Sequence, residues 1–425
     1  SNSGEVLTIG EKPTLAVNNP AASMRMSIAE ALTNMSGVLI KGLDQVQVSA
    51  NWMAATGEEV EDISLREGVE ALSKSCVDLN ISVPVGKDSL SMRTKWEDGA
   101  IERVVKSPLS GVITAMAPVA DVRDAVTPEL NTKIPSRLVH VKLNSHTRMS
   151  GSIFSEVTQT NFVNTPDIDD MDLLKVMFSS IQKLVSENKI LALHDVSDGG
   201  LITTLLEMAF TKKIGLKIKD QELTKGNLNN YFFSEESGLV IQIADSDIEK
   251  IQEQLLSVGL SAKIIASISD NKEISVSNES ENLFSESVIT LEKYWREASH
   301  AIQAIRDNQL IADSELGLLD DEVYSGLFSK ESFDESVIES FNILNSKPRV
   351  AILREQGVNG QMEMAAAFTL AGFEAVDVHM QDLLDSNVYL KDFNGLAACG
   401  GFSYGDVLGA GGGWSKTIIH NDLVK

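Results

Sequence analysis

Cysteine is nearly absent: Cys76 and Cys399 are the two thiols in 425 residues, and their separation is no metal-type spacing. That usage gives no support to a Cys-based zinc site and fits a reducing compartment, so a cytoplasmic location is expected. Aromatic side chains make up 5% of the chain, which leaves little from which to build platforms that stack nucleic-acid bases. Positive charge is short as well: 36 Lys and Arg face 61 Asp and Glu, for a formal net charge of −25. Nucleic acid and anionic lipid both require basic patches, so neither nucleic acid nor a membrane is an expected partner. No apolar run approaches the ~20 residues that cross a bilayer, and no signal peptide opens the chain. An acidic protein can still bind nucleotides, because metal ions and backbone N–H groups meet the phosphates.

What is present is a globular composition, 43% apolar, in a length that suits about three domains. The chain opens Ser-Asn-Ser without Met and stops at Lys425 soon after a Gly-rich loop. It is expected to be a piece cut at both ends.

The stretch Leu193-His194-Asp195-Val196-Ser197-Asp198-Gly199-Gly200-Leu201 draws attention first. It follows an apolar run, Ile190–Leu193, that reads as a buried strand, and precedes Ile202–Phe210, which reads as a helix. Acidic residues and a Gly pair between strand and helix place polar groups where open sheets bind ligands. The carboxylates suit a hard cation and the helix N-terminus suits phosphate. A plain turn fits the same residues, with Ser197 or Asp198 as the helix cap.

Upstream, Pro20–Thr33 has helical periodicity, and Glu30 and Asn34 share one face. That oxygen pair can ligate Mg²⁺, or it is a surface Glu with an Asn C-cap. Val46–Met53 reads as a strand and Ile63–Leu79 as an amphipathic helix that carries Cys76 inward. Ile81–Val85 is a short strand, followed by Gly86-Lys87-Asp88-Ser89, a Gly-Lys with a hydroxyl that lacks the Walker A spacing. Asp98-Gly99 marks a hairpin turn between Met92–Trp96 and Ile101–Lys106, and a domain boundary falls near Asn131–Pro135. Asp167–Asn188 reads as a long helix, Leu239–Ile243 as a strand and Ile289–Asn308 as a helix. The adjacent carboxylates Glu235 and Glu236 are a second acidic site or a solvated turn. Ala312–Lys347, acidic and Ser-rich, reads as a clinging linker.

From Arg349 the rhythm is strand, helix, strand: Val350–Leu353, Asn359–Ala371 ended by Gly372, then Ala375–Val378 and Leu396–Ala398. This is the opening of a parallel-sheet α/β domain. Gly409–Trp414 reads as a flexible loop. Cys399 stands at a strand's end and not inside a strand-to-helix elbow, so it is not assigned as a nucleophile.

Several long motifs then converge. Val350-Ala351-Ile352-Leu353-Arg354-Glu355-Gln356-Gly357-Val358-Asn359 and Ala398-Cys399-Gly400-Gly401-Phe402-Ser403-Tyr404-Gly405-Asp406 resemble the glutaminase domain of large-type phosphoribosylformylglycinamidine synthases. Glu30-Ala31-Leu32-Thr33-Asn34, Ser49-Ala50-Asn51-Trp52-Met53, Pro84-Val85-Gly86-Lys87-Asp88-Ser89, His194–Gly200, Trp295 and Arg306-Asp307-Asn308 resemble the same family in the same order. The likeness spans essentially the whole chain. Gly412, Ser234 and Val196 depart from it, where Glu, Asn and Arg are expected.

The resemblance implies a multidomain α/β and α+β chain. Residues 1–134 and 135–308 would be the two subdomains of a second aminoimidazole-ribonucleotide-synthetase-like half, 309–347 an acidic linker, and 348–425 the start of a class I glutamine amidotransferase domain. It implies a ligase that turns formylglycinamide ribonucleotide, ATP and glutamine into formylglycinamidine ribonucleotide. ATP would activate the amide oxygen and ammonia from glutamine would displace the phosphate. Glu30, Asn34 and Asp195 match Mg²⁺ ligands, and Ser197 a contact to ATP or ADP, at an auxiliary site. Gly86, Lys87 and Ser89 would face a phosphate across a pseudo-dimer, and the N–H groups of Gly400 and Gly401 would stabilise an oxyanion. The glutaminase Cys is expected beyond Lys425, with the N-terminal half also elsewhere, so the chain alone is expected to be inactive. The other readings are a nucleotide-stabilised scaffold and a free-standing ATP-dependent kinase of the same superfamily.

Overall fold

The structure, a computed structural model, describes residues 2–321, 326–327, 330, 332, 347–407, 409–422 and 424, without the side chains of 406 and 410. It divides into two compact units, Ser1–Tyr324 and Ser325–Lys425.

The first unit opens with a strand that the periodicity did not announce, β1 (Gly4–Gly10). A short helix α1 (Pro13–Ala16) and the long α2 (Pro20–Met35) follow; Pro20 sits at the start of α2 and the Asn19 side chain accepts from Ala22 N. Next come β2 (Gln47–Met53), α3 (Glu59–Leu79), β3 (Ser82–Ser89), the hairpin β4 (Arg93–Asp98) and β5 (Ile101–Lys106), and β6 (Ser110–Val119). Four of them form a sheet in the order β1-β6-β2-β3. Along β6 buried and less buried residues alternate, so Ile113, Ala115 and Ala117 face the helices and Thr114 and Met116 face away. On the opposite face Leu7 of β1 and Val85 of β3 stand exposed. β1 lies hard against α2, for a Cβ on Gly10 would come within 1.9 Å of the Ser27 carbonyl oxygen. Cys76 is buried on α3, as expected, and burial pushes its thiol up to about 11. β3 is longer than the sequence suggested. Its parallel pairing with β2 continues through Asn51 opposite Lys87 and Met53 opposite Ser89, so the Gly-Lys segment is strand and not loop.

A seven-stranded sheet completes the unit. In chain order its elements are β7 (Ser136–Lys142), α4 (Ile153–Thr158), α5 (Met171–Ser186), β8 (Ala192–Val196), α6 (Gly200–Phe210), β9 (Gly215–Lys219), α7 (Leu228–Phe233), β10 (Gly238–Ala244), α8 (Ile248–Ser257), β11 (Ser261–Ser269), β12 (Glu273–Ser277), β13 (Asn282–Ser287), α9 (Val288–Arg306) and α10 (Gln309–Gly317). The strand order is β13-β12-β9-β11-β7-β10-β8. Its central strands are apolar on both sides: Val139, Val141, Leu239 and Ile241 join the core of α2, α3, α5 and α8, while Leu138 and Val240 join that of α6, α7 and α9. One core therefore runs from the first sheet through α2 into the second, and α2 meets the end of β8. β11, β12 and β13 are rich in Ser, which hid them from a hydrophobic-periodicity reading. α10 occupies residues expected to be linker; His300 Nε2 meets Asp313 Oδ1 at 2.9 Å and Lys293 meets Asp320 at 2.7 Å. The rest of the expected linker lies mostly outside the described residues.

In the second unit β14 (Arg349–Arg354), α11 (Gln361–Leu370), β15 (Glu374–His379), α12 (Met380–Leu384) and β16 (Gly395–Ala398) build a parallel sheet of order β15-β14-β16. The Gly-rich stretch expected as a loop is instead the start of a helix, α13 (Ala410–Ile419). Trp414 and Ile418 pack there with Val378 and Leu383, and that burial overrides the poor helix propensity of glycine. Among the described residues no helix is long and apolar enough to cross a membrane.

Candidate functional site

At the end of β8 the chain turns through Ser197-Asp198-Gly199 into α6. Gly199 is the N-cap, with φ +79°, and no side chain caps the helix, so the reading of Ser197 or Asp198 as the cap does not hold. Both side chains turn to Lys12, a buried residue just before α1. Its Nζ donates to Ser197 Oγ at 2.9 Å and Asp198 Oδ1 at 2.5 Å and lies 3.0 Å from Glu30 Oε1. Ser197 Oγ in turn donates to Glu30 Oε1, and Glu30 Oε2 accepts from Glu11 N at 2.7 Å. Asn34, one turn further along α2, donates from Nδ2 to Ile9 O at 3.1 Å. The helix face that carries Glu30 and Asn34 is thus tied to β1 and to the chain leaving it.

Asp195 is buried in β8, and its Oδ1 lies 3.1 Å from Nδ1 of His194, whose Nε2 is 3.0 Å from Glu207 Oε2. Burial works against charge on His194, but hydrogen bonds to Asp195 and Glu207 raise it to about 9. Burial also opposes the Lys12 charge, and Glu30 and Asp198 outweigh it, so Lys12 is held as an ammonium. Glu235 is fully buried beside them. Its Oε1 accepts from Ile153 N and Gly199 N, each at 2.9 Å, while its Oε2 has no hydrogen-bond partner. Burial, opposed by Lys12, raises it to about 7. The neighbouring Glu236 is buried too, held by Arg148 through Nε at 2.6 Å and Nη2 at 2.8 Å. The Glu pair is therefore not a solvated turn. Gly200 completes the close packing, since a Cβ there would meet the Phe232 carbonyl oxygen at 2.6 Å.

The residues that the resemblance implied as Mg²⁺ ligands do not present a metal-binding set. Both oxygens of Glu30 are engaged by donors, one of them a lysine ammonium that would repel a divalent ion. Among the described residues no group of three or more His, Cys, Asp or Glu side chains is placed to hold a metal. Mg²⁺ wants near-octahedral oxygen ligands at about 2.0–2.1 Å, whereas here Glu30 meets a lysine ammonium, Asn34 donates to Ile9 O and Asp195 faces the His194 ring.

Gly86, Lys87 and Ser89 lie elsewhere. β3 is three strands from β1 in the sheet, or about 14 Å at ~4.8 Å per strand. Lys87 Nζ donates to Ser89 Oγ at 2.9 Å, beside an open groove of about 320 Å³ lined by Ala50, Trp52 and Val83–Asp88. In the second unit Gly400 and Gly401 follow β16, at the strand end where parallel sheets bind ligands. The loop is pinned by Phe402 N donating to Gly357 O at 2.9 Å. Gly401 has φ +148° and no room for a Cβ, which would meet Gly357 O at 2.5 Å. Cys399 is buried, and burial raises its thiol. Glu355 lies close by, 3.2 Å from the Tyr404 hydroxyl and 3.6 Å from His379 Nε2.

Lys12 and Arg148 were not singled out from the sequence. Lys12 is one lysine in a Gly-Glu-Lys-Pro segment, and nothing local distinguishes it from a surface lysine. Only the adjacency of Glu235 and Glu236 hinted at the buried acids.

The fold is that of synthetase-like domains followed by a glutamine-amidotransferase-type domain. Residues 1–118 match the family model of the FGAR-AT PurM_N-like domain, 136–278 that of the C-terminal domain of AIR synthase related proteins, and 347–425 that of the CobB/CobQ-like glutamine amidotransferase domain. Among solved structures, Thermotoga maritima PurL complexed with FGAR is 10% identical, with a TM-score of 0.54 over 68% of this chain and 46% of that one. T. maritima PurL complexed with ATP is 9% identical, with a TM-score of 0.52 over 67% of this chain and 44% of that one. The chain thus spans less than half the length of the PurL chains it matches.

Proposed function

We propose that the chain is part of a phosphoribosylformylglycinamidine synthase, the ligase that converts formylglycinamide ribonucleotide to its amidine in purine biosynthesis with ATP and glutamine. The observation that carries this reading is the succession of three domains in one chain, two synthetase-like and one amidotransferase-like. The T. maritima PurL structures with ATP, ADP and FGAR support nucleotide and ribonucleotide ligands for such a fold. The amidotransferase-like unit argues against a free-standing kinase. Within this reading the N–H groups at Gly400 and Gly401 stabilise the glutaminase oxyanion, and Cys399, buried at the end of β16, is not its nucleophile.

The nucleotide is assigned to the turn after β8, where α6 begins without a side-chain cap and the helix dipole favours an anion. Calorimetric titration of ADP into the chain tests this. Binding is expected, weakened about tenfold by Ser197→Ala, which removes the hydroxyl that ties the turn to Lys12 and the Glu30 carboxylate, and untouched by Lys87→Ala. No affinity in the parent, or equal affinity in Ser197→Ala, would count against the assignment.

The exposed sheet face, with Leu7, Ile9 and Val85 about 56–62% exposed, is where a second synthetase-like half docks, since apolar area of this kind marks an interaction surface. Leu7→Lys is expected to abolish co-elution with a separately expressed first half on a sizing column. Retention of the complex would remove this face from the interface.

A further inference from the structure

The cation at the junction of α2 and β8 is part of the chain. A lysine ammonium has three N–H donors, and around Lys12 three oxygens receive them: Glu30 Oε1 at 3.0 Å, Ser197 Oγ at 2.9 Å and Asp198 Oδ1 at 2.5 Å. The side chain is 2% exposed, so water does not compete for those donors. The backbone is fixed from the other side, as Lys12 O accepts from Ser23 Oγ at 2.6 Å. The oxygens come from α2 and from the β8–α6 turn, so the ammonium links the first sheet's helix to the second sheet's strand end. A bound divalent ion would make the same link with the same oxygens.

We propose that Lys12 is a tethered monocation that stands in place of a divalent metal at this junction, so that the Glu30 carboxylate is reserved for lysine and the turn after β8 is set without metal. The three donors are spent on protein oxygens, which leaves Lys12 none for a phosphate. Its role is positioning: it holds Ser197 and Asp198 where α6 begins. Exclusion of a metal by Lys12 is independent of whether a nucleotide binds at the turn.

Manganese is the probe. Free Mn²⁺ is followed by EPR while the metal is titrated into the full chain and into Glu30→Gln. The two are expected to bind the same number of ions, all at weak surface carboxylates. One ion bound by the parent and lost in Glu30→Gln overturns the proposal. Lys12→Met is expected to create the site it excludes, with a new Mn²⁺ bound at least about tenfold more tightly than any in the parent, because Glu30 and Asp198 then face the junction without their ammonium partner. A folded Lys12→Met chain with no such ion overturns the proposal as well. Should that variant fail to fold without metal, recovery of its far-UV circular dichroism by Mg²⁺ supports it, and the comparison of the parent with Glu30→Gln still decides.

Discussion

Arg148→Ala is expected to destabilise the first unit by about 3–5 kcal/mol, the cost of breaking a buried ion pair from one side. Arg148 binds Glu236 through two nitrogens, reaches both oxygens of Asp169 at 3.0 Å, and donates to Asp167 O at 2.7 Å. It therefore fastens three segments to one another: the loop after β7, the approach to α5, and the approach to β10. Glu236 has its side chain 4% exposed. With Arg148 gone it keeps the Arg148-position backbone N–H at 3.2 Å and Asn144 Nδ2 at 3.3 Å, and the remaining cation that acts on it is Lys142, which forms no direct ion pair with it. Arg148→Lys restores the charge without the planar fork and is expected to recover only part of the loss. The combined Arg148→Met, Glu236→Leu chain removes both charges and is expected to sit far closer to the parent than Arg148→Ala does. Urea unfolding followed by tryptophan fluorescence suits the comparison, because Trp52, Trp96 and Trp295 lie in the first unit and Trp414 in the second. A loss under about 1 kcal/mol, the scale of exposed pairs, would show that Glu236 is not the buried charge described.

Glu235→Gln is expected to stabilise the chain at alkaline pH and to leave it nearly unchanged in acid. The Glu235 carboxyl is raised from 4.5 to about 7 in the folded chain, first by burial and only partly offset by Lys12. Between those values the folded state holds a proton that the unfolded state has released, so stability falls as pH rises from 4.5 to 7 and is level beyond. At 1.36 kcal/mol per unit the full penalty is about 3 kcal/mol. Glutamine keeps the oxygen that accepts from Ile153 N and Gly199 N and removes the charge. The stability difference between variant and parent, measured at intervals from pH 5 to pH 8, is expected to grow with pH. A difference that stays constant over that range rules out a titrating Glu235.

Much of the architecture could be read from pattern. The strand–helix–strand rhythm after Arg349, the amphipathic α3 and the helix of Glu30 follow from periodicities of 2 and 3.6, which are local. The Asp195–Gly200 stretch was legible because acidic residues and paired glycines interrupt two apolar runs. β1, β11, β12 and β13 were not legible, since polar strands are defined by the neighbours they pair with and not by their own alternation. The helix at Ala410–Ile419 was missed for a related reason: its glycines have low propensity, and the burial of Trp414 and Ile418 that sustains it is tertiary.

The candidate site divides along the same line. Sequence alone determined that Glu30, Ser197 and Asp195 are polar groups at a helix face and a strand end, and that the turn after β8 is built for close approach. Tertiary structure alone decided what meets them. Lys12 and Ser197 are 185 positions apart, and no local pattern records that a lysine beside α1 is carried into the β8–α6 turn. That meeting depends on β1 lying against α2 and on α2 sharing its core with the seven-stranded sheet. Burial then does the rest: in water Lys12 would be one more solvated charge, whereas out of water its three donors must end on Glu30, Ser197 and Asp198.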